Sequence, residues 1–413
     1  MLKNKLYNLL RWSEKYTKTD MVYLAQGGFW LIFSQTIGVI VAFLITIIFA
    51  NLLSKTTYGS YQYIASIIAI LTIFNLPGLN TALTQAIAKN QEGSVYDIIK
   101  TKIKWSLIAS LIFIFIAGYY QYKNNTDFAK IFLLCALFFP ILESFDVYAS
   151  ILNAKKLFKT SSIYKMIRVT TYLLLITLII TKFHSLTSII MAHLAINTTL
   201  SILFFILAVK KYKANKEKDP ETIKYGKHLS FMGILGAISM NIDKLILWHF
   251  LGPVQLAVYA LSISPIIHIK GYLQNLGTLA LPKISQQNHL EIQKNLPQKI
   301  SRLYFVLFFI IIIYWLAAPT IYKIFFPAYL ESVFYSQLYS LILLFYPQNL
   351  LLLAIQTQYK TKFLYIINTI SPILQIVLML ILVPLFQIKG AIGATILQLI
   401  LNGFLLRYYF KKI

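Results

Sequence analysis

The stretch LSFMGILGAISMNIDKLILWHFLG, residues 229–252, is mostly apolar but contains an adjacent acid and base, Asp243 and Lys244. As a helix rising about 1.5 Å per residue, it is long enough to cross the roughly 30 Å of hydrocarbon in a bilayer. The rest of the chain has a similar character: 58% of its 413 residues are apolar and 12% are charged, whereas soluble proteins average about a quarter charged residues. The composition therefore predicts an integral membrane protein.

Apolar segments of membrane-spanning length recur along the whole sequence. We expect them to be helices, because a segment in lipid must pair its own backbone groups and the ten-residue alternation of a membrane β-barrel is missing. Twelve spans are predicted, at residues 28–53, 61–86, 105–121, 131–152, 166–182, 187–209, 229–251, 255–280, 303–322, 332–357, 363–386 and 388–408.

The distribution of Lys and Arg supports this division and orients the chain. If the N-terminus is cytoplasmic, 30 of the 38 basic residues fall in cytoplasmic segments, six fall on the opposite side, and Lys244 and Lys270 fall within spans. Cytoplasmic loops retain positive charge, and one wrongly merged or split span would invert every later loop. We therefore expect a multi-pass membrane protein with both termini in the cytoplasm. Its basic inner face should contact anionic membrane lipids, and nucleic acid is not an expected partner.

Polar segments divide the chain into predicted domains. Residues 1–27 combine basic residues with a helical apolar face, which predicts a cytoplasmic helix in the inner membrane interface and no signal peptide. Residues 210–228 are strongly polar and fall after the sixth span, so they are predicted to be a cytoplasmic linker. The linker separates an N-lobe at 28–209 from a C-lobe at 229–413.

The two halves of the sequence resemble each other weakly. Residues 49–66 can be laid on residues 247–264 at an offset of 198, which pairs Tyr61 with Tyr259. Six helices per repeat is an even number, so both copies would share one orientation and be related by an axis along the membrane normal. The predicted fold is an all-α integral membrane protein with twelve transmembrane helices in two six-helix lobes around a central cavity.

Helix-breaking residues interrupt the second predicted span of each half. They are Pro77 and Gly78 in the first half, and Pro265 and Gly277 in the second. Proline removes a backbone donor and glycine loosens the helix, so these positions are predicted hinges. The alternative is that they are ordinary features, because glycine and proline are common in membrane helices.

Two motifs carry a resemblance to a known family. The segment LLSKTTYGSY (52–61) contains two leucines, a turn and Tyr-Gly-x-Tyr, and its partner IDKLILWHFLGPVQLAVYALS (242–262) opens the second half. In these residues and in its twelve-helix plan, the chain resembles the O-antigen and polysaccharide flippases of the multidrug/oligosaccharidyl-lipid/polysaccharide exporter superfamily. SKTT stands where a glycine-containing turn is more usual in that family.

The resemblance implies a transporter that is not an enzyme and needs no cofactor. Its substrate would be an undecaprenyl-diphosphate-linked oligosaccharide, such as an O-antigen repeat of lipopolysaccharide or a capsule repeat, moved from the inner to the outer leaflet by alternating access. A glycan polymerase or glycosyltransferase would act alongside it. Two alternatives remain: a cation-coupled multidrug exporter of the same superfamily, and a membrane glycan polymerase or ligase. The short outer loops disfavour the enzyme, and no metal-ligand or nucleotide-binding motif is present.

Charged residues inside the spans are the candidate site. An ionisable group near the bilayer centre costs about 2.5–3.5 kcal/mol on insertion scales, so it usually faces protein or a wet cavity. Lys270 and Lys244 are predicted to line a cavity and attract the substrate diphosphate, or else to neutralise nearby acids. Arg168 is expected either to extend to the cytoplasmic headgroups or to join these cations.

Three acids also fall within predicted spans. Glu143 and Asp146 share a helix face, and Asp243 adjoins Lys244. We expect them either to couple transport to a proton or sodium gradient or to serve as fixed counter-charges.

Overall fold

The structure is a computed structural model that describes residues 21–212, 215, 217–285, 289–357 and 361–411. Regular secondary structure in this part of the chain is helical throughout, without a strand. The α-helices are α1 (Met21–Leu52), α2 (Lys55–Leu71), α3 (Gly78–Ala88), α4 (Ser94–Tyr122), α5 (Thr126–Leu142), α6 (Val147–Ala154), α7 (Phe158–Phe183), α8 (Leu186–Lys211), α9 (Glu221–Met232), α10 (Ile234–Ser239), α11 (Ile242–Ser285), α12 (His289–Phe325), α13 (Ser332–Ser340), α14 (Gln348–Thr357) and α15 (Thr361–Lys411). The predicted interfacial segment at 1–27 lies almost wholly outside the described residues.

Ten helical stretches of the described chain are long and apolar enough to cross a membrane. Two of them, Ile234–Leu273 with 40 residues and Tyr365–Phe410 with 46, contain one residue with non-helical backbone, Gly252 (φ 76°) and Gln387 (φ 55°) respectively. Each interruption leaves two pieces of about 20 residues, the length of one crossing. The predictions of an all-α membrane fold and of twelve spans are therefore confirmed.

The chain forms two compact units that differ in part from the predicted lobes. Among the described residues, the first unit contains those up to Ile45 together with Phe74–Phe183 and Thr187–His228. Its core is an apolar cluster that includes Leu79, Ile98 and Phe204.

The second unit contains Leu229–Ile413, the short segment His184–Leu186 and also Thr46–Ile73. The C-terminal part of α1 and all of α2 thus belong with the second half of the chain, whereas the sequence placed them in the N-lobe. The division into lobes joined by a linker stays a prediction.

The predicted hinge positions differ in their backbone structure. At Pro77 and Gly78 the helix is broken, because α2 ends in a 3₁₀ turn at Thr72–Asn75, Leu76 adopts φ 53°, and α3 begins at Gly78. Pro265 and Gly277, by contrast, lie within the uninterrupted part of α11 that follows Gly252. Only the first pair therefore coincides with a break in a helix.

Matching interruptions occur in the two halves. The turn at residues 143–146 separates α5 from α6 in the middle of the fourth span. At the offset of 198 residues, this turn aligns with the 3₁₀ segment Leu341–Phe345. That segment separates α13 from α14 in the middle of the tenth span. The weak internal similarity of the sequence is thus accompanied by a similar pattern of helix breaks.

The polar segment after α8 is docked on the first unit. Glu92, which is 7% exposed, accepts hydrogen bonds from the Lys155 ammonium and from the backbone N–H of Asn215, the latter at 2.8 Å. Gly93 N–H donates to the Glu217 carbonyl at 2.8 Å, and Lys218 forms an ion pair with Asp97 at 2.8 Å. Part of the predicted linker is therefore held against the start of α4.

This junction should be sensitive to acid. Burial by itself raises the pKa of the Glu92 carboxyl, but the hydrogen bonds from Lys155 and Asn215 outweigh it and hold the pKa below its usual range. The resulting stabilisation is present above the unfolded-state pKa of about 4.3 and is lost as the pH falls through the lower folded-state value. Glu92→Gln should weaken the junction at neutral pH. In this variant, acidification should no longer weaken the junction through residue 92. Hydrogen exchange of residues 215–219 between pH 7 and pH 3 measures this, and an unchanged acid response in the variant would contradict it.

Candidate functional site

Arg168, near the middle of α7, is held by Asp146, in the turn before α6, and by Asn197 of α8. Its Nη1 donates to Asp146 Oδ1 at 2.7 Å, and its Nε and Nη2 donate to Asn197 Oδ1 at 3.3 and 3.2 Å. Ser201 Oγ also donates to Asp146 Oδ1, at 2.6 Å. Because the guanidinium is bound on two sides by helices, it does not extend along α7 towards headgroups. Arg168 and Asp146, predicted separately, therefore form one ion pair.

A cavity of about 160 Å³ opens beside this arginine within the first unit. Its polar lining includes Arg168, Asn197, Tyr172 and His193, and the facing wall is formed by small and apolar residues of α1. His193 Nδ1 and the Tyr172 hydroxyl lie 2.9 Å apart, so this histidine hydrogen-bonds a neighbouring helix. The cavity thus has one fixed cation on an otherwise neutral polar wall.

A second buried cation, Lys102, escaped the sequence interpretation. The loop between the second and third spans was predicted to contain it, but α4 begins at Ser94 and Lys102 is 1% exposed. Its Nζ donates to Asn80 Oδ1 at 2.8 Å. Lys102, Ser106 and Ser110 recur every four residues on one buried face, which is the signal that could have identified it.

Glu143 occupies the turn between α5 and α6. It is half-buried and forms no ion pair with the described cations. Ser144, the next residue, bonds Asn75 at 3.1 Å, and Asn75 also donates to Ser106 at 2.8 Å. The break in the fourth span is therefore joined by polar contacts to the break at the end of α2.

In the second unit, Asp243 is buried at 7% exposure near the start of α11. Its Oδ2 accepts a hydrogen bond from the Tyr259 hydroxyl at 2.8 Å, and its Oδ1 lies 3.5 Å from Lys244 Nζ without a hydrogen bond. Lys244 keeps 15% of its side chain exposed. The adjacent acid and base that interrupt residues 229–252 are therefore a close pair in which the acid is the more enclosed partner.

Lys270 lies farther along α11 and is separate from this pair. Its side chain is exposed and forms no ion pair with any carboxylate that the structure describes. The structure thus brings Asp243 together with Lys244, and Asp146 together with Arg168, but it gives Lys270 no such acid.

The two motifs that carry the family resemblance contact each other in the second unit. Gly59, in the Tyr-Gly-x-Tyr motif of α2, faces the backbone of Pro253, which begins the second piece of α11. A Cβ at position 59 would lie 1.8 Å from the Pro253 carbonyl oxygen. Tyr63, one turn further along α2, stacks on Trp248 with ring centroids 4.3 Å apart. Glycine is therefore required at position 59 for two backbones to approach closely.

These features define a multi-pass membrane protein with charged side chains inside its membrane-spanning helices. Its family can be stated more closely. A family model described as polysaccharide biosynthesis protein matches residues 24–288, and the chain belongs to that family. A relative from Methanocaldococcus jannaschii, an uncharacterized membrane protein, is 24% identical over 90% of this chain and 80% of its own length.

Solved structures with a similar fold are membrane transporters. The lipid II flippase MurJ in an inward closed conformation has a TM-score of 0.68 at 18% identity, over 94% of this chain and 87% of MurJ. An inward-facing multidrug resistance MATE family transporter of the MOP superfamily has a TM-score of 0.64 at 13% identity, over 92% and 95% of the two chains. A MOP superfamily transporter from Pyrococcus furiosus reaches 0.62 at 15% identity, over 93% and 95%. The resemblance recognised in the sequence is confirmed by the family match and by this shared fold.

Proposed function

We propose that the protein is a flippase that moves an undecaprenyl-diphosphate-linked oligosaccharide, an O-antigen or capsule repeat unit, from the inner to the outer leaflet by alternating access. Membership of a polysaccharide biosynthesis family supports a glycan substrate. The fold shared with a lipid II flippase supports translocation of a lipid-linked form of it. The protein would act in the bacterial inner membrane with both termini in the cytoplasm, next to a glycan polymerase or glycosyltransferases.

The observation that carries this proposal is the fixed guanidinium of Arg168 beside a cavity in the membrane-spanning part of the first unit. A diphosphate carries several negative charges on its oxygens. The planar guanidinium of arginine can donate two parallel N–H hydrogen bonds to such oxygens. Lys270 and Lys244 would add cations in the second unit, since Lys270 has no carboxylate pair among the described side chains. A set of intramembrane cations favours an anionic substrate over the cationic drugs of a multidrug exporter.

The sequence left two roles open for the intramembrane acids, coupling to an ion gradient and fixed counter-charge. We assign Asp146 to counter-charge, because it pairs with Arg168 at 2.7 Å. Asp243 suits ion coupling better, since its Oδ1 is buried and accepts no hydrogen bond from the described residues. Glu143 stays a candidate for either role. Pro77 and Gly78, at a helix break, are the better-supported hinge positions.

A double variant tests the lysines. Lys244→Ala combined with Lys270→Ala should lower surface glycan by at least about tenfold, because the loss of even one charge-assisted bond to phosphate costs about 1.5–3 kcal/mol. Lipid-linked single repeats should then accumulate facing the cytoplasm, whereas exported but unpolymerised repeats would indicate a polymerase instead. Lys123→Ala, an exposed lysine after α4, is the control. Normal export at normal protein levels in the double variant would contradict the role of these lysines.

A further inference from the structure

A cavity of about 790 Å³ lies in the second unit among α12, α14 and the end of α15. Its lining is apolar at Pro297, Ile300, Leu351 and Phe410, but Arg407 also lines it. A neighbouring cavity of about 270 Å³ shares Arg407 and two other lining residues with it. Together they form one continuous depression, which we call the α15 groove, separate from the cavity beside Arg168.

The groove is amphipathic along its length. Ile400, Gly403, Arg407 and Phe410 recur at helical spacing and so line it from one face of α15. The eight residues from Ile400 to Arg407 extend over about 10 Å of helix. Phe404 and other apolar side chains line the Ile400 end, while the Arg407 end carries the hydroxyl-bearing residues Ser301 and Tyr304. A ligand that fits should therefore combine an apolar part with a polar part.

The polar end has an excess of positive charge and hydrogen-bonding capacity. Arg407 is exposed and pairs with no carboxylate in the described part of the chain. Lys299 and Arg302 are also exposed nearby on α12. Arg407 has five N–H donors in a planar fork that matches two phosphate oxygens, and hydroxyl groups can add further donors.

Gln348 gives an independent indication of a ligand. It lines both cavities and is only 6% exposed, yet its Oε1 is buried and accepts no hydrogen bond from the described residues. Its side chain fits closely against α15, because a Cβ at Gly403 would lie 2.4 Å from Nε2. A buried acceptor without a donor costs about 1–3 kcal/mol, so a hydroxyl of a bound ligand would stabilise it.

We propose that the α15 groove is a binding site for an anionic glycerophospholipid whose headgroup carries hydroxyl groups. The phosphate lies against Arg407, a headgroup hydroxyl donates to Gln348 Oε1, and an acyl chain follows the apolar wall towards Ile400. Basic pockets between transmembrane helices bind anionic headgroups by the same chemistry. A polyprenyl phosphate offers an acyl-like chain and a phosphate but no headgroup hydroxyl for Gln348, so it fits less well. The site is independent of the proposed transport of oligosaccharide.

Native mass spectrometry of the purified full-length protein tests this proposal with three lipids. Phosphatidylglycerol should bind at least about tenfold more tightly than phosphatidylethanolamine and than undecaprenyl phosphate. Arg407→Ala and Gln348→Leu should each weaken phosphatidylglycerol binding by about tenfold, and Arg302→Ala, a matched cation that does not line the groove, should leave it unchanged. Two substitutions are used because either alone could disturb the packing of α15, and thermal unfolding of each variant reports on that.

Three outcomes would overturn the site. Equal binding of phosphatidylglycerol and phosphatidylethanolamine would mean that neither the net negative charge nor the headgroup hydroxyl groups of the lipid are recognised. Preference for undecaprenyl phosphate would replace the assigned ligand with a polyprenyl one. An equal loss of binding in Arg302→Ala and Arg407→Ala, with normal unfolding temperatures, would show a general basic surface instead of a groove. None of these results depends on glycan export, so the lipid site and the proposed flippase function can fail separately.

Discussion

Replacing Arg168 with alanine should lower surface glycan export by about tenfold to a hundredfold. The substitution removes a guanidinium that lines the cavity and that is fixed by Asp146 at 2.7 Å and by Asn197 at 3.2–3.3 Å. Charge-assisted hydrogen bonds contribute about 1.5–3 kcal/mol each, which corresponds to this range of rates or affinities. Export is measured as surface glycan per cell, normalised to the amount of protein in the membrane.

Loss of Arg168 also leaves Asp146 without its cation, and removing one partner of an enclosed ion pair can cost 3–5 kcal/mol of stability. Arg168→Ala combined with Asp146→Asn removes that unpaired charge, so it should recover stability without recovering export. Arg168→Lys keeps the charge but not the fork that reaches both partners, and should give intermediate export. The matched control is Lys182→Ala, which removes an exposed cation from the last turn of α7. Full export in the double variant would mean that Arg168 only neutralises Asp146.

The sequence identified Arg168 and Asp146 as charged residues within spans but could not pair them. They are 22 residues apart on different helices, and the packing of α7 against α6 decides whether the guanidinium meets the acid or extends to headgroups. Lys102 was missed for a different reason. Its helix begins at Ser94, eleven residues before the predicted span, because Lys and Asp in the first turns of α4 masked the start of the helix in a search for apolar runs. A buried lysine was thus counted as a loop residue.

The number and class of the spans followed from the sequence because they rest on length and polarity, which need no knowledge of neighbours. The composition of the two compact units did not follow. Residues 46–73 precede the linker by more than a hundred positions, yet they belong with the second half of the chain. The deciding contact is between backbones, at Gly59 and Pro253, and a pattern of side-chain polarity carries no information about it.

This contact leads to a second large expected effect, on the free energy of unfolding. Gly59→Ala places a methyl carbon 1.8 Å from the Pro253 carbonyl oxygen, 2.6 Å from its carbonyl carbon and 3.0 Å from its Cα. Overpacking a core by a methylene costs about 1–3 kcal/mol when side chains can move aside. Here the opposing atoms are backbone, so relief requires moving α2 away from α11 as a unit. We therefore expect a loss of about 3 kcal/mol or more, measured by thermal unfolding of the purified protein in detergent.

Gly118→Ala provides the matched control for this substitution. Gly118 lies in α4, and a Cβ built there has no atom within 4 Å. Alanine is favoured over glycine in a helix by about 0.5–1 kcal/mol, so this variant should unfold at the same temperature as the wild type or slightly higher. The stacked pair Tyr63 and Trp248 reports on the same interface, because separation of α2 from α11 exposes the indole and should shift the fluorescence of Trp248 in Gly59→Ala alone. Equal unfolding temperatures for the two variants would mean that the motifs of the two halves do not pack together as closely as these distances require.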